Sequence, residues 1–263
     1  SANDRGYLYG DGLFETLVAY RGRLLWPQLH LERLALGMER LGIPADLDAI
    51  GDALTAAAAG HADASGILRL TLTRGVGPRG YAPPRRARSH WKILESTAKR
   101  DPLCPLEPAA VALSDVTLAR QPALAGIKHC NRLEQVLAAQ QADALGVDDV
   151  LMATEQGQLH SGSKANLFFF VGGELLTAPC EGQGIHGTRR RLVIEQLAPA
   201  LGIAVRFAAL EADQLGEVDG AFLCNSVMGI RGIASIAGRR IPLDERMSLL
   251  QQAYRSESLA CVA

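Results

Sequence analysis

The chain has 263 residues, 48% of them apolar and 21% charged, with a formal net charge of −1 and a sequence pI near 6.6. This is the composition of an ordinary globular protein, long enough for one large domain or two modest ones. The balanced charge argues against nucleic-acid or membrane-surface binding, which both need a basic excess, and no apolar run nears the roughly 20 residues of a membrane span.

Residues 13–20 read as a strand, turned by Arg21 and Gly22 into a short strand at 24–26. Pro27 opens a helix with Leu31, Leu34, Met38 and Leu41 on one face, stopped by Gly42. An alanine-rich helix follows at about 47–59, then an alternating strand at 67–74. GVGPRGYAPPRR is a loop rich in glycine, proline and arginine, and HWKILES is another strand. From about 103 to 126 prolines accumulate and periodicity fades. The predicted organisation is therefore an N-terminal α+β domain (1–107), a linker (108–126) that has 111–113 as a strand, and a C-terminal domain (127–263). The latter should hold a helix at 132–145, strands at 149–153 and 166–171, and a hairpin through Gly172 and Gly173 to 174–177. A helix at 188–201 closed by Gly202, strands at 204–208, 220–224 and 232–236, and a terminal helix complete it. Contiguous strands in each half predict α+β rather than a doubly wound sheet.

The five cysteines, Cys104, Cys130, Cys180, Cys224 and Cys261, form no CxxC, and the six histidines form no HxxxH or HExxH. Reduced thiols, no metal site and a cytoplasmic location are expected. SANDRGYLYG has neither part of a signal peptide.

Only four of the 27 basic residues are lysine: Lys92, Lys99, Lys128 and Lys164. Lys128 follows an apolar stretch and precedes a helix start, where Asn131 and Glu134 have the spacing of a capping pair. An amine held in apolar surroundings has a depressed pKa and can form a Schiff base; a lysine snorkelling to water at that position is the alternative. Schiff-base lysines often hold pyridoxal phosphate, which needs a phosphate cradle. Glycines 182, 184 and 187 lead into the helix at 188, whose N-terminus suits a phosphate. Arg33 in HLERL could reach an anion or make a surface ion pair, and CNSVMG could add the Ser226 hydroxyl or be a plain turn.

DRGYLYGDGLFETL, HLERL, RGYAPP, IKHCNRLEQVL, SGSKANLFFF, GIHGTRRRLVIEQL and FLCNSVMGI occur in this order. Together they resemble the fold-type IV pyridoxal-phosphate enzymes, from Asp4 to about Ile236. That family includes branched-chain and D-amino-acid aminotransferases and 4-amino-4-deoxychorismate lyases. KHCNRLEQVLA and RGYAPP resemble the lyases more. The resemblance implies a two-domain fold, with a smaller N-terminal domain and a larger C-terminal one built on a barrel-like sheet. It implies pyridoxal phosphate bound covalently to Lys128. Arg33, the amides of Gly187, Thr188 and Arg189, and Asn225 and Ser226 would hold its phosphate. Phe14, Arg79 and Tyr81 would face the substrate, Glu15 would lie near Lys128, and the enzyme would be a homodimer. The activity implied is conversion of 4-amino-4-deoxychorismate to 4-aminobenzoate and pyruvate, for folate synthesis. An aminotransferase of the same fold, or a member that has lost its chemistry, are the alternatives. Two departures stand out. The family's EGSxSN is SGSKAN here, so Ser161 replaces the glutamate that keeps the cofactor's pyridine nitrogen protonated. Family members usually carry a strand and turn before DRG, where only SAN stands here; that strand is expected to be trimmed or absent, which would leave a sheet edge uncovered.

Overall fold

The structure is a computed structural model describing all 263 residues. The chain forms two compact units: Ser1–Pro102 with Ile127–Arg132 and Ala260–Ala263, and Leu103–Gly126 with Leu133–Leu259.

The first unit contains α1 (Arg5–Tyr9), β1 (Gly12–Tyr20), β2 (Arg23–Leu24), α2 (Pro27–Leu41), α3 (Leu47–Ala59), β3 (Gly66–Thr73) and β4 (His90–Thr97). Its antiparallel sheet runs β2-β1-β3-β4. Strand alternation puts Leu68, Leu70 and Leu72 on one face, all fully buried, along with Leu34 of α2 and Ile50 and Leu54 of α3. Each such side chain contributes roughly 1.5–3 kcal/mol. The other face carries Phe14 and Thr16 of β1 opposite Thr71 and Arg69 of β3. Helix α2 begins with Pro27 and ends at Gly42, whose φ of 61° lets its N–H bond the Glu39 carbonyl. Helix α1 was not predicted from the sequence. It is a single turn started by Asp4, whose side chain accepts from the Gly6 amide.

Residues 128–130 return to this sheet along β1. The Phe14 amide donates to the Lys128 carbonyl and the Cys130 amide to the Gly12 carbonyl, both at 2.9 Å. Leu13 and His129 form the bridge between them. Asn131 does not cap the next helix: its side-chain amide donates to the Gly10 carbonyl, 121 residues away. Glu134 accepts from the Ala119 amide instead of completing a capping pair.

The second unit contains β5 (Ala109–Leu113), α4 (Leu133–Leu145), β6 (Asp149–Ala153), β7 (Leu159–Gly162), β8 (Asn166–Val171) and β9 (Glu174–Thr177). Next come α5 (Thr188–Leu192), a π turn (Val193–Leu197), α6 (Ala198–Ala200), β10 (Val205–Phe207), a 3₁₀ turn (Ala212–Glu217), β11 (Gly220–Asn225), β12 (Gly229–Ile236), β13 (Arg239–Arg240) and α7 (Glu245–Cys261). Strands β8-β11-β12-β5-β6-β7 form a ring closed by the Ser161–Asn166 pairing of β7 with β8. The result is the α+β class expected, with a six-stranded barrel in the C-terminal part. Leu151, Leu159, Leu167, Phe169, Leu223 and Ile233 belong to one buried cluster. Phe168 stacks on Phe222 at 4.8 Å on the other side of their strands, so the FFF run is buried on both faces. The helix expected at 188–201 is one helical stretch in three pieces. Pro199 has no N–H for the Glu195 carbonyl, and the π turn lies just before it.

Gly37 of α2 sits against Leu13, opposite His129. A Cβ there would meet two Leu13 methyls at 2.7 and 2.8 Å. Propensity alone would make Gly37→Ala stabilising by about 1 kcal/mol. The overpacking of a side chain only 1% exposed should reverse that sign, costing about 1–3 kcal/mol in urea unfolding. A raised midpoint would contradict the packing described.

Candidate active site

In the first unit the site is built around Lys128. Its strand pairing places it on the Phe14 side of β1, with Nζ 4.3 Å from the Phe14 ring centroid. The Arg69 guanidinium lies at 4.3 Å from the same ring. Desolvation by burial, then the charge of Arg33, push the Lys128 amine down to about 8. Glu15 opposes this, while Arg132 and Arg69 add to it. The amine is therefore neutral in an appreciable fraction of molecules near physiological pH, as a nucleophile or base requires.

Glu15, on the opposite face of β1, is 1% exposed. Its Oε2 pairs with His30 Nδ1 and Arg33 Nη2, both at 2.6 Å, and its Oε1 accepts from Arg33 Nε at 2.7 Å. Burial alone would raise its pKa. The Arg33 charge and the His30 bond outweigh that and hold it at about 2. His30 and Arg33 stand three residues apart on α2, so both reach one carboxylate from one helix face. His30 escaped the sequence reading although that spacing was legible.

His129, beside Lys128, is buried and held down to about 4 by desolvation and then by the Arg132 charge. Arg132 donates to its Nε2 and its carbonyl. Arg69 and Arg132 were also missed: Arg132 stands only four residues after Lys128, while nothing in the local sequence of Arg69 marks it as a neighbour. Arg79 and Tyr81 lie on the loop between β3 and β4, both exposed. The Tyr81 ring packs at 5.5 Å from Tyr9.

The remaining predicted residues belong to the second unit. Ser161 is half-buried on β7, opposite Met152 and Asn166. Gly187 is the N-cap of α5, and a Cβ there would come within 1.8 Å of Asn166 Oδ1. Asn166 itself donates to the Ile185 carbonyl at 3.0 Å. Thr188 and Arg189 are buried in the first turn, where amides need acceptors from outside the helix. Arg189 Nε donates to the Tyr254 hydroxyl at 3.3 Å, and Arg190 Nη2 to the Ala178 carbonyl at 2.8 Å. Asn225 begins a tight turn: its Oδ1 accepts from the amides of Val227 and Met228, and Ser226 lies within it.

Residues 12–236 match the class IV amino-transferase family, and the chain belongs to it. An aminodeoxychorismate lyase from Vibrio harveyi is 30% identical over 243 residues, covering 92% of this chain and 89% of its own. The crystal structure of 4-amino-4-deoxychorismate lyase from Pseudomonas aeruginosa superposes with a TM-score of 0.87 at 34% identity, covering 98% of this chain and 94% of that one. A D-alanine aminotransferase from Listeria monocytogenes is 25% identical over 259 residues, covering 96% and 87%.

Pyridoxal phosphate is the cofactor of this family. The residues present fit it: a desolvated amine for its aldehyde, and a helix start whose glycine a side chain would block. Capture of an aldehyde by the cofactor-free protein should rise with pH and be half-maximal near 8, followed by absorbance. A midpoint near 10.5, the ordinary lysine value, would mean the amine is solvated.

Proposed function

We propose that this chain is a pyridoxal-phosphate-dependent lyase that converts 4-amino-4-deoxychorismate to 4-aminobenzoate and pyruvate, a cytoplasmic step of folate synthesis. The observation that carries the proposal is the half-buried Lys128 amine, 4.3 Å from the Phe14 ring centroid, in a segment whose motif resembles the lyases. The named lyases from Vibrio harveyi and Pseudomonas aeruginosa support it.

Lys128 would bind the cofactor covalently. The Gly187, Thr188 and Arg189 amides would hold its phosphate with Asn225, Ser226 and Arg33, and Ser161 would face its pyridine ring. The bound cofactor supplies a sink for the electron pair of a broken carbon–hydrogen bond. With the substrate amine on the cofactor, the free Lys128 amine would accept at Nζ the proton from the amine-bearing carbon. That electron pair completes the aromatic ring as the adjacent carbon–oxygen bond breaks. The enolpyruvyl oxygen leaves with the bonding pair as an enolate, whose methylene carbon takes back one proton to become pyruvate. No water or redox partner is consumed. Phe14 covers one side of the Lys128 amine, and Arg79 offers a guanidinium to a substrate carboxylate.

Ser161 is the feature that favours elimination over transamination. A hydroxyl does not hold a pyridinium as a carboxylate does. The nearby buried carboxylate, Asp149, accepts on Oδ1 from the Ser163 amide and hydroxyl and the Val150 amide, while its Oδ2 is buried with no hydrogen-bond partner. A weaker sink harms transamination most, because that reaction must reprotonate the cofactor carbon. An elimination discharges the electron pair into its leaving group.

We also propose a homodimer. Leu133, Val136 and Leu137 lie exposed at i, i+3 and i+4 on α4, a face of the kind a second copy covers.

The test is incubation of the cofactor-loaded protein with 4-amino-4-deoxychorismate, measuring pyruvate by coupled reduction and 4-aminobenzoate by fluorescence. Both should appear in equal amounts, and Lys128→Ala should lower the rate by about 10³-fold or more. Ser161→Glu should raise the transamination half-reaction with D-alanine or a branched-chain amino acid by about tenfold. Amino-acid turnover without pyruvate release would instead establish an aminotransferase, and neither activity would establish a member without this chemistry.

A further inference from the structure

The loop between β3 and β4 is long, and its sequence from residue 75 to 89 carries Arg79, Arg85, Arg86 and Arg88 with no acidic residue. All four are exposed or nearly so. A segment of this length and charge stays ordered only if something holds it. Apolar packing holds it only in part: the Tyr81 ring meets Tyr9 at 5.5 Å, while Pro83, Pro84, Arg85 and Ala87 line an open groove of about 520 Å³ against the end of α2.

What holds the loop is a buried guanidinium. Arg5 of α1, 4% exposed, donates from Nη1 to the Gly80 and Ala82 carbonyls at 3.1 and 3.3 Å, and from Nη2 to the Tyr81 carbonyl at 2.6 Å. Its Nε donates to Asp11 Oδ2 at 2.8 Å. Asp11 also accepts from Arg74 at 2.7 and 3.0 Å, and Arg74 donates onward to the Leu41 and Gly42 carbonyls at the end of α2. The loop backbone passes so close that a Cβ on Gly77 would meet Arg5 Cδ at 2.8 Å. Helix α1 is tied in turn to the Lys128 segment, because Asn131 donates to the Gly10 carbonyl at 3.2 Å. One continuous set of hydrogen bonds thus runs from residue 131 to residues 80–82.

We propose that Arg5 is a positioning residue, which fixes the basic loop as a receptor for the carboxylates of an anionic substrate. It contacts the loop backbone, Asp11 and the Tyr9 ring, over which its guanidinium carbon lies at 5.0 Å, and it acts through the loop's arginines, Arg79 first. The substrate class rests on the lyase reading above; the clamp itself does not. Three carbonyls and a carboxylate around one planar fork are a pattern that lysine cannot reproduce.

Two measurements test it. Without substrate, hydrogen exchange at residues 79–84 of the cofactor-loaded enzyme should accelerate in Arg5→Ala while the barrel strands stay protected. With substrate, Arg5→Ala should raise KM by about tenfold or more, as a lost charge-assisted contact would, with kcat within about threefold. Arg79→Ala should raise KM likewise, yet add little in the Arg5→Ala background, because both act on one contact. Raised salt should increase the wild-type KM more than that of Arg79→Ala. Arg5→Lys gives the same readouts at smaller amplitude if Arg5→Ala folds poorly. Unchanged exchange, an unchanged KM, or additive KM effects of the two substitutions would overturn the proposal. A wild-type enzyme that releases no pyruvate would overturn the lyase reading, and the exchange measurement would still judge the clamp.

Discussion

The structure depends on half-burying one amine without leaving an uncompensated charge beside it. Lys128 feels the guanidinium charges of Arg33, Arg69 and Arg132, with Glu15 as the counter-charge. Glu15 is itself bound on both oxygens by His30 and Arg33. Burial lowers the lysine first, the Arg33 charge adds to that against the attraction of Glu15, and the amine stays near 8 rather than 10.5. Were Arg33 absent, the buried carboxylate would stabilise the ammonium form and the lysine would titrate higher. The ion pair on α2 thus acts as an electrostatic setting as well as a packing contact.

That setting needs the Lys128 segment to be held rigidly, and the backbone does this with few residues. Two hydrogen bonds to β1 fix Lys128 and Cys130, Asn131 ties the segment to the end of α1, and Leu13 packs into the notch left by Gly37. The same β1 strand presents Phe14 to the amine and Glu15 to α2, because adjacent strand residues face opposite sides. Helix α1 then links the segment to the loop through Arg5. In the second unit, closure of the barrel sets Ser161 opposite Asn166, and the Asn166 amide oxygen crowds Gly187 at the start of α5. A glycine is required there because a side chain would collide with the half-buried Asn166 amide, which is held by its bond to the Ile185 carbonyl, not because of its backbone angles.

Much of this was legible in the sequence. The alternation of ILRLTLT, Pro27 and Gly42 bounding α2, and the apolar FFF run gave strands and helices at their observed places. The order of the motifs gave the family and the barrel. What escaped was set by distant parts of the chain. Helix α1 is too short for periodicity and exists because Asp4 caps it and Arg5 is bound far away. Strand β7 is four residues with a histidine and a serine, and pairing across the barrel makes it a strand. Asn131 looks like a helix cap by its local spacing, but its amide is used on Gly10. A linear boundary cannot express a chain that sends residues 127–132 back to its first sheet.

The most direct measurement is borohydride reduction of the cofactor-loaded protein, followed by proteolysis and mass spectrometry. The account predicts a single reduced pyridoxyl adduct, on the peptide containing Lys128. An adduct on Lys92, Lys99 or Lys164, or none at all, would contradict it.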